Sequence, residues 1–103
     1  MDIAAEEVDE FAAALPGCDL THQFQIVSDD KVQTVIAILQ ELYEVDGRLK
    51  RLLSAAAGKE ICHEIRIAGL SPQVARRVSG KLAVVPGVYR AAVEHRLGRA
   101  EWT

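Results

Sequence analysis

The sequence predicts an α+β fold, a four-stranded antiparallel sheet with two helices on one of its faces. Three observations carry that expectation. Several segments alternate apolar and polar side chains with a period of two, as strands do when one sheet face is covered and the other open. Between them, two segments repeat apolar residues at helical spacing, one after Ser28-Asp29-Asp30 and one after Ser71-Pro72. The second helical pattern stops at Pro86-Gly87 and a strand pattern follows at once, so the chain must reverse there and return to the sheet.

The elements follow in order. Ile3, Val8, Phe11 and Leu15 recur at roughly helical spacing, Glu6, Glu7 and Asp9 sit in the early turns, and Pro16-Gly17 closes the segment. Residues 1–17 are therefore expected to form an N-terminal helical extension outside the main domain. In THQFQIVSD, His22, Phe24 and Ile26 alternate with Gln23, Gln25 and Val27, which reads as a strand. Val32, Val35, Ile36, Leu39, Leu42 and Tyr43 then predict a helix over 31–44.

The next stretch, VDGRLKRLLSAAAGKE, fits two patterns. As a helix it presents Leu49, Leu52, Leu53 and Ala56 together, with Asp46 to cap it and Gly58 to end it. With period two, Leu49, Leu53, Ala55 and Ala57 share a face and Arg51 is the misfit. The pattern on either side decides for a strand over 46–57. In EICHEIRIAG, Ile61, His63, Ile65 and Ile67 share one face, and Cys62, Glu64 and Arg66 take the other. Ser71 is a cap followed by proline at the first helical position, where its missing N–H costs nothing. Val74, Val78, Leu82 and Val85 mark a helix over 72–85. VYRAAVEHRL closes the sheet, with Tyr89, Ala91, Val93, His95 and Leu97 on one face and Arg90, Glu94 and Arg96 on the other. The order is strand, helix, strand, strand, helix, strand, the ferredoxin-like βαββαβ arrangement, over a domain at 18–98 with a short tail at 99–103. Ile36, Leu39, Ile65, Val78 and Leu82 are expected in its core.

A chain of 103 residues makes one domain and one core. With a net charge of −3 and 5% aromatic residues, it lacks the basic surface and the stacking platforms of a nucleic-acid binder. The sequence shows neither a secretory pattern nor an apolar run of membrane-spanning length, so a cytoplasmic location without a membrane partner is expected. Cys18 and Cys62 form no CxxC and are expected to be reduced thiols.

With the element order in place, three stretches resemble an ACT domain. HQFQIVSDD is similar to its first strand and the loop into the first helix, LQELYEVDGRL to the helix exit into the second strand, and LAVVPGVYRAAVEH to the last helix, turn and closing strand. The resemblance covers about residues 22–97 and is nearest in kind to the small regulatory subunit of acetolactate synthase. It implies a non-catalytic regulatory domain that senses a small molecule such as an amino acid and serves an amino-acid metabolic enzyme. It places the ligand at the loop formed here by Ser28, Asp29, Asp30, Lys31 and Val32. ACT domains that bind amino acids usually carry a glycine in this loop, which lets backbone N–H groups approach the ligand carboxylate. This chain has no glycine there and two carboxylates instead, so weak or no amino-acid binding at the loop is expected.

Arg48, Lys50 and Arg51 are the cations able to receive a carboxylate or phosphate at a subunit interface, although charges on a solvated edge strand also block unwanted pairing. A small sheet leaves two edges open, so a homodimer is expected. In this fold the first strand lies between the third and the fourth, which sets His22 beside His95 and His63 toward the other end. Two histidines make a poor metal site without a third ligand. No metal or cofactor is expected, and a hydrogen-bonded imidazole pair is the ordinary reading. Two rival functions remain: a small ferredoxin-like enzyme using His22 and His95 in proton transfer, and an assembly adaptor without ligand. Cys62 and His63 are neighbours that point to opposite faces, and no GxSxG, P-loop or HExxH is present, so catalysis is not expected. Glu64, Arg66, Arg90, Glu94 and Arg96 decorate the open face, where cross-strand ion pairs are expected.

Overall fold

The structure is a computed structural model that describes residues 18–99, with side chains over 20–97. The helix expected at 3–15 and the tail residue Trp102 lie outside the described residues. The order is β1 (Cys18–Asp29), α1 (Val32–Tyr43), β2 (Arg48–Ala57), β3 (Glu60–Ala68), α2 (Pro72–Ala83) and β4 (Val88–Arg99). The strands form a four-stranded sheet in the order β2-β3-β1-β4, each pair antiparallel.

The two-way segment is strand β2. Across the ladder Leu49 faces Ile67 and Leu52 faces Ile65, so pairing outweighs the local helix preference. Gly58, at φ +66°, takes the first central position of the two-residue turn into β3, where a type II′ hairpin needs a positive φ. The expected face of β2 is corrected. The ladder slips between Leu49 and Arg51, leaving Lys50 as the extra residue of a β-bulge. Beyond it Leu52, Ser54 and Ala56 share the covered face with Leu49, and Leu53 and Ala55 turn to the open face with Arg51. The misfit of Arg51 in the simple alternation was the trace of that bulge.

A second slip lies opposite Val27 and Ser28, which pair with Arg90 and Val88. Tyr89 is skipped and stands 58% exposed instead of sharing the covered face. Ala91, Val93 and His95 face Ile26, Phe24 and His22 as the alternation predicts.

Phe24, Ile26, Ile65 and Ile67 from the sheet meet Ile38 of α1 and Ala75, Val78 and Leu82 of α2, with Leu70 closing one end. Ser71 caps α2 by accepting a hydrogen bond from the Val74 amide at 3.2 Å, ahead of Pro72. α1 departs from expectation. Its buried residues are Thr34 and Ile38, whereas Ile36 and Leu39 are 50% and 42% exposed. α2 packs on β4 and β1, which leaves α1 to the β3 and β2 side. There the stripe Val32, Ile36, Leu39 and Tyr43 stays uncovered beside the edge strand.

Candidate functional site

Ser28 and Asp29 end β1 and are tied into three other elements. The single hydroxyl proton of Ser28 goes to the Asp29 carbonyl at 2.9 Å. Its oxygen therefore accepts from His63 Nε2, also at 2.9 Å, and His63 Nδ1 in turn accepts from the Ser54 hydroxyl at 2.8 Å. Burial holds the His63 imidazole below its ordinary pKa, in favour of this neutral form. The Asp29 amide donates to the Gly87 carbonyl at 2.8 Å. Its carboxylate accepts from the Lys31 amide at 3.2 Å and from the Thr34 hydroxyl. The Thr34 hydrogen bond is the main cause of a lowered Asp29 pKa; desolvation opposes it, and the Lys31 amide and charge add to the lowering. Gly87 has φ +92°, and a Cβ there would clash with the Thr34 hydroxyl and the Asp29 carboxylate. The start of α1, where an external anion would sit, thus already holds a carboxylate of the chain itself. The helix begins later than Ser28-Asp29-Asp30 suggested: its N-cap is Lys31, without a side-chain cap.

A groove of about 310 Å³ opens between α1 and β2, lined chiefly by Leu39, Leu42, Tyr43, Leu49, Leu52 and Ile65. It exists because the outer stripe of α1 overhangs the edge strand without reaching it.

No protein-family profile and no curated protein matches the chain. Solved structures do. The ACT domain of GTP pyrophosphokinase from Chlorobium tepidum superposes with a TM-score of 0.65, at 18% identity, over 74% of this chain and 99% of its own. The C-terminal domain of the MgtC protein from Mycobacterium tuberculosis gives 0.60 at 23% identity, over 84% and 94%. The chain has an ACT-like fold. A de novo designed protein, Foldit4, also matches, with a TM-score of 0.51 at 15% identity over 78% and 96%, so the fold leaves function to be argued from the site. The likeness is to the ACT fold in general and does not single out the acetolactate synthase subunit.

Within this ACT-like domain the expected ligand residues fall in two places. Ser28 and Asp29 face Ile61 and Glu60, whereas Arg48 faces Ala68, which faces Thr21. Thr21 and Ser28 stand at opposite ends of β1, roughly 23 Å apart at ~3.3 Å per residue. One copy of the domain therefore does not bring Arg48, Lys50 and Arg51 to the loop. Asp30 and Lys31 are exposed, and Val32 is 69% exposed.

The open face of the ACT-like sheet differs from the expected set of ion pairs. Arg51 Nε meets Glu64 at 2.6 Å in an ion pair. The other Glu64 oxygen accepts from Gln23 Nε2 at 2.9 Å. Gln23 Oε1 then accepts from Arg66 Nη2 and Arg96 Nη1, both at 2.8 Å. Gln23 was not singled out from the sequence. Its signal was its position, a long amide in the polar phase of a strand that becomes central.

His22 and His95 meet as expected, Nδ1 to Nδ1 at 2.8 Å, and His22 Nε2 lies 2.7 Å from the Leu70 carbonyl. A carbonyl only accepts, so Nε2 carries a proton, and in neutral His22 Nδ1 accepts from His95. Among the described residues no three His, Cys, Asp or Glu side chains stand together as a metal site. No helix among them is long and apolar enough to cross a membrane.

Proposed function

We propose that this ACT-like domain is a non-catalytic regulatory module that works as a homodimer. In this reading it senses a small apolar molecule, such as an apolar amino acid, and serves a metabolic enzyme in the cytoplasm. The observation that supports it is an unpaired edge beside an apolar groove. β2 is exposed along its whole length and ends the sheet. Leu49 and Leu52 on it, with Val32, Ile36, Leu39 and Tyr43 on α1, make a continuous apolar surface of the kind that marks an interaction site.

A second copy of the chain suits that surface. Antiparallel pairing of two β2 strands about a two-fold axis at Leu53 sets Arg51 opposite Ala55 and Leu52 opposite Ser54, each pair on one face of the sheet. The basic half of each strand then meets the alanine half of the other, and like charges stay apart. The same pairing carries the basic half toward the sheet end where the other copy has its 28–32 loop. Asp29 occupies the anion position of that loop, so sensing is assigned to the groove, which the second copy would wall off.

The enzyme reading has less support. His22 is fully buried, and both of its ring nitrogens are engaged, by His95 and by Leu70. Light scattering after gel filtration, joined to a thermal-shift screen of the twenty amino acids, tests the proposal. A dimer is expected, with Leu52→Glu giving a folded monomer. An apolar amino acid should raise the transition of the wild type only, since binding to the folded state stabilises it. A monomer at every concentration, with no amino acid raising the transition, would remove the reading.

A further inference from the structure

The open face of the sheet carries a cluster whose centre, Gln23, Arg66 and Arg96, neither dimer nor groove uses. Two neighbouring rows of the ladder hold it, Arg51, Arg66, Gln23 and Glu94 in one and Arg48, Ala68, Thr21 and Arg96 in the other. Four arginines from β2, β3 and β4 thus surround a floor of Thr21, Gln23 and Ala68, which are 8%, 4% and 0% exposed. Arg48, Arg51 and Arg96 are exposed at its rim.

The charge there is unbalanced. Glu64, in the next row, has both oxygens engaged, by Arg51 and Gln23, and Glu94 is the one carboxylate of the two rows themselves. Arg66 and Arg96 share one neutral amide oxygen, which brings two like charges within the span of a single oxyanion. The orientation of that amide is settled, because its nitrogen donates to Glu64. Arg66 Nε is buried and has no acceptor. Buried donors are nearly always partnered, and one without a partner calls for an explanation.

We propose that this face binds the phosphate group of a small phosphorylated molecule. Arg66 and Arg96 form the fork that takes the phosphate oxygens, Arg48 and Arg51 are flanking cations, and Gln23 holds the fork together. Guanidinium pairs match phosphate geometry, with two donors to two oxygens. Four arginines against Glu64, Glu94 and Asp19, which the ladder sets opposite Gly98 in the row beyond Thr21, leave the cluster net positive. A phosphate monoester brings close to two negative charges at neutral pH and three oxygens to the paired guanidinium groups.

Titration calorimetry of the full chain with inorganic phosphate and with AMP tests this, beside Arg96→Gln and Arg66→Lys. Arg96 is exposed, so its variant should keep the fold, and circular dichroism checks that. Saturable binding of the wild type is expected, weakened at least tenfold in each variant, because lysine does not supply the fork. Equal affinity for both probes identifies phosphate itself as the ligand, and tighter AMP binding identifies the ester; either supports the proposal. It is overturned if neither probe binds saturably, if both variants bind as the wild type does, or if a single-stranded oligonucleotide binds while AMP does not.

Discussion

His63 and Gly87 show how much single residues near the end of β1 decide. His63 is buried between two serine hydroxyls and is held below its ordinary pKa by desolvation. A histidine whose folded pKa is depressed contributes stability that is complete above the unfolded value, near 6.5. That contribution is lost as pH falls from there through the folded value. Urea midpoints should therefore decline across mild acid, and His63→Gln should flatten the decline; an unchanged slope would assign it elsewhere. Gly87 has a positive φ and no room for a Cβ, whereas Gly80 in α2 has open space around its Cα. Gly87→Ala should cost about 1–3 kcal/mol, and Gly80→Ala should add about 0.5–1 kcal/mol as a helix-interior glycine is replaced. Chemical denaturation of both variants checks the pair. The sequence announced Pro86-Gly87 as a reversal. The reason that residue 87 must be glycine lies across the fold, in Asp29 and Thr34, and no local pattern could show it.

Among the elements, α1 and β2 were harder to read than the rest. α1 is apolar on two adjacent stripes, and the one facing the core contains a threonine, so periodicity favoured the wrong one. Ile38→Ala should lower stability by about 2–5 kcal/mol, as should Ile65→Ala on the sheet. Ile36→Ala, half exposed, should change the unfolding energy of a monomeric background such as Leu52→Glu by only about 0.5 kcal/mol. In the wild type it should weaken the dimer instead, and the comparison of the two backgrounds separates those effects. In β2 the adjacent Leu52 and Leu53 satisfy either strand phase equally well. A one-residue slip leaves composition untouched, so it is visible only in the pairing with β3. β1, β3 and α2 were legible because each has one plainly apolar face and firm ends.

At the scale of the molecule, the order of elements and the polarity of the faces were enough to place four strands and two helices. The candidate site was less legible, because it depends on which ends of the sheet meet. Arg48 and Arg51 stand at the end of the sheet away from the 28–32 loop of the same copy, and Arg66 and Arg96 are joined through Gln23, three strands deep in the ladder. One face of the sheet is thus devoted to packing, its outer strand β2 is exposed, and the opposite face is left to charge. The bulge at Lys50 has a genetic consequence. It is the one place in β2 where the reading frame of the pleat contains a spare residue, so an in-frame loss of that codon returns Leu49 and Arg51 to direct succession opposite Ile67 and Arg66. The shortened protein should unfold within a few degrees of the parent in a melting scan. Loss of the Glu64 codon has no such slack, since β3 is paired on both sides and the deletion would turn either Ile61 or both Ile65 and Ile67 outward; that product should not fold. Natural variation in chain length within this strand should accordingly gather at position 50.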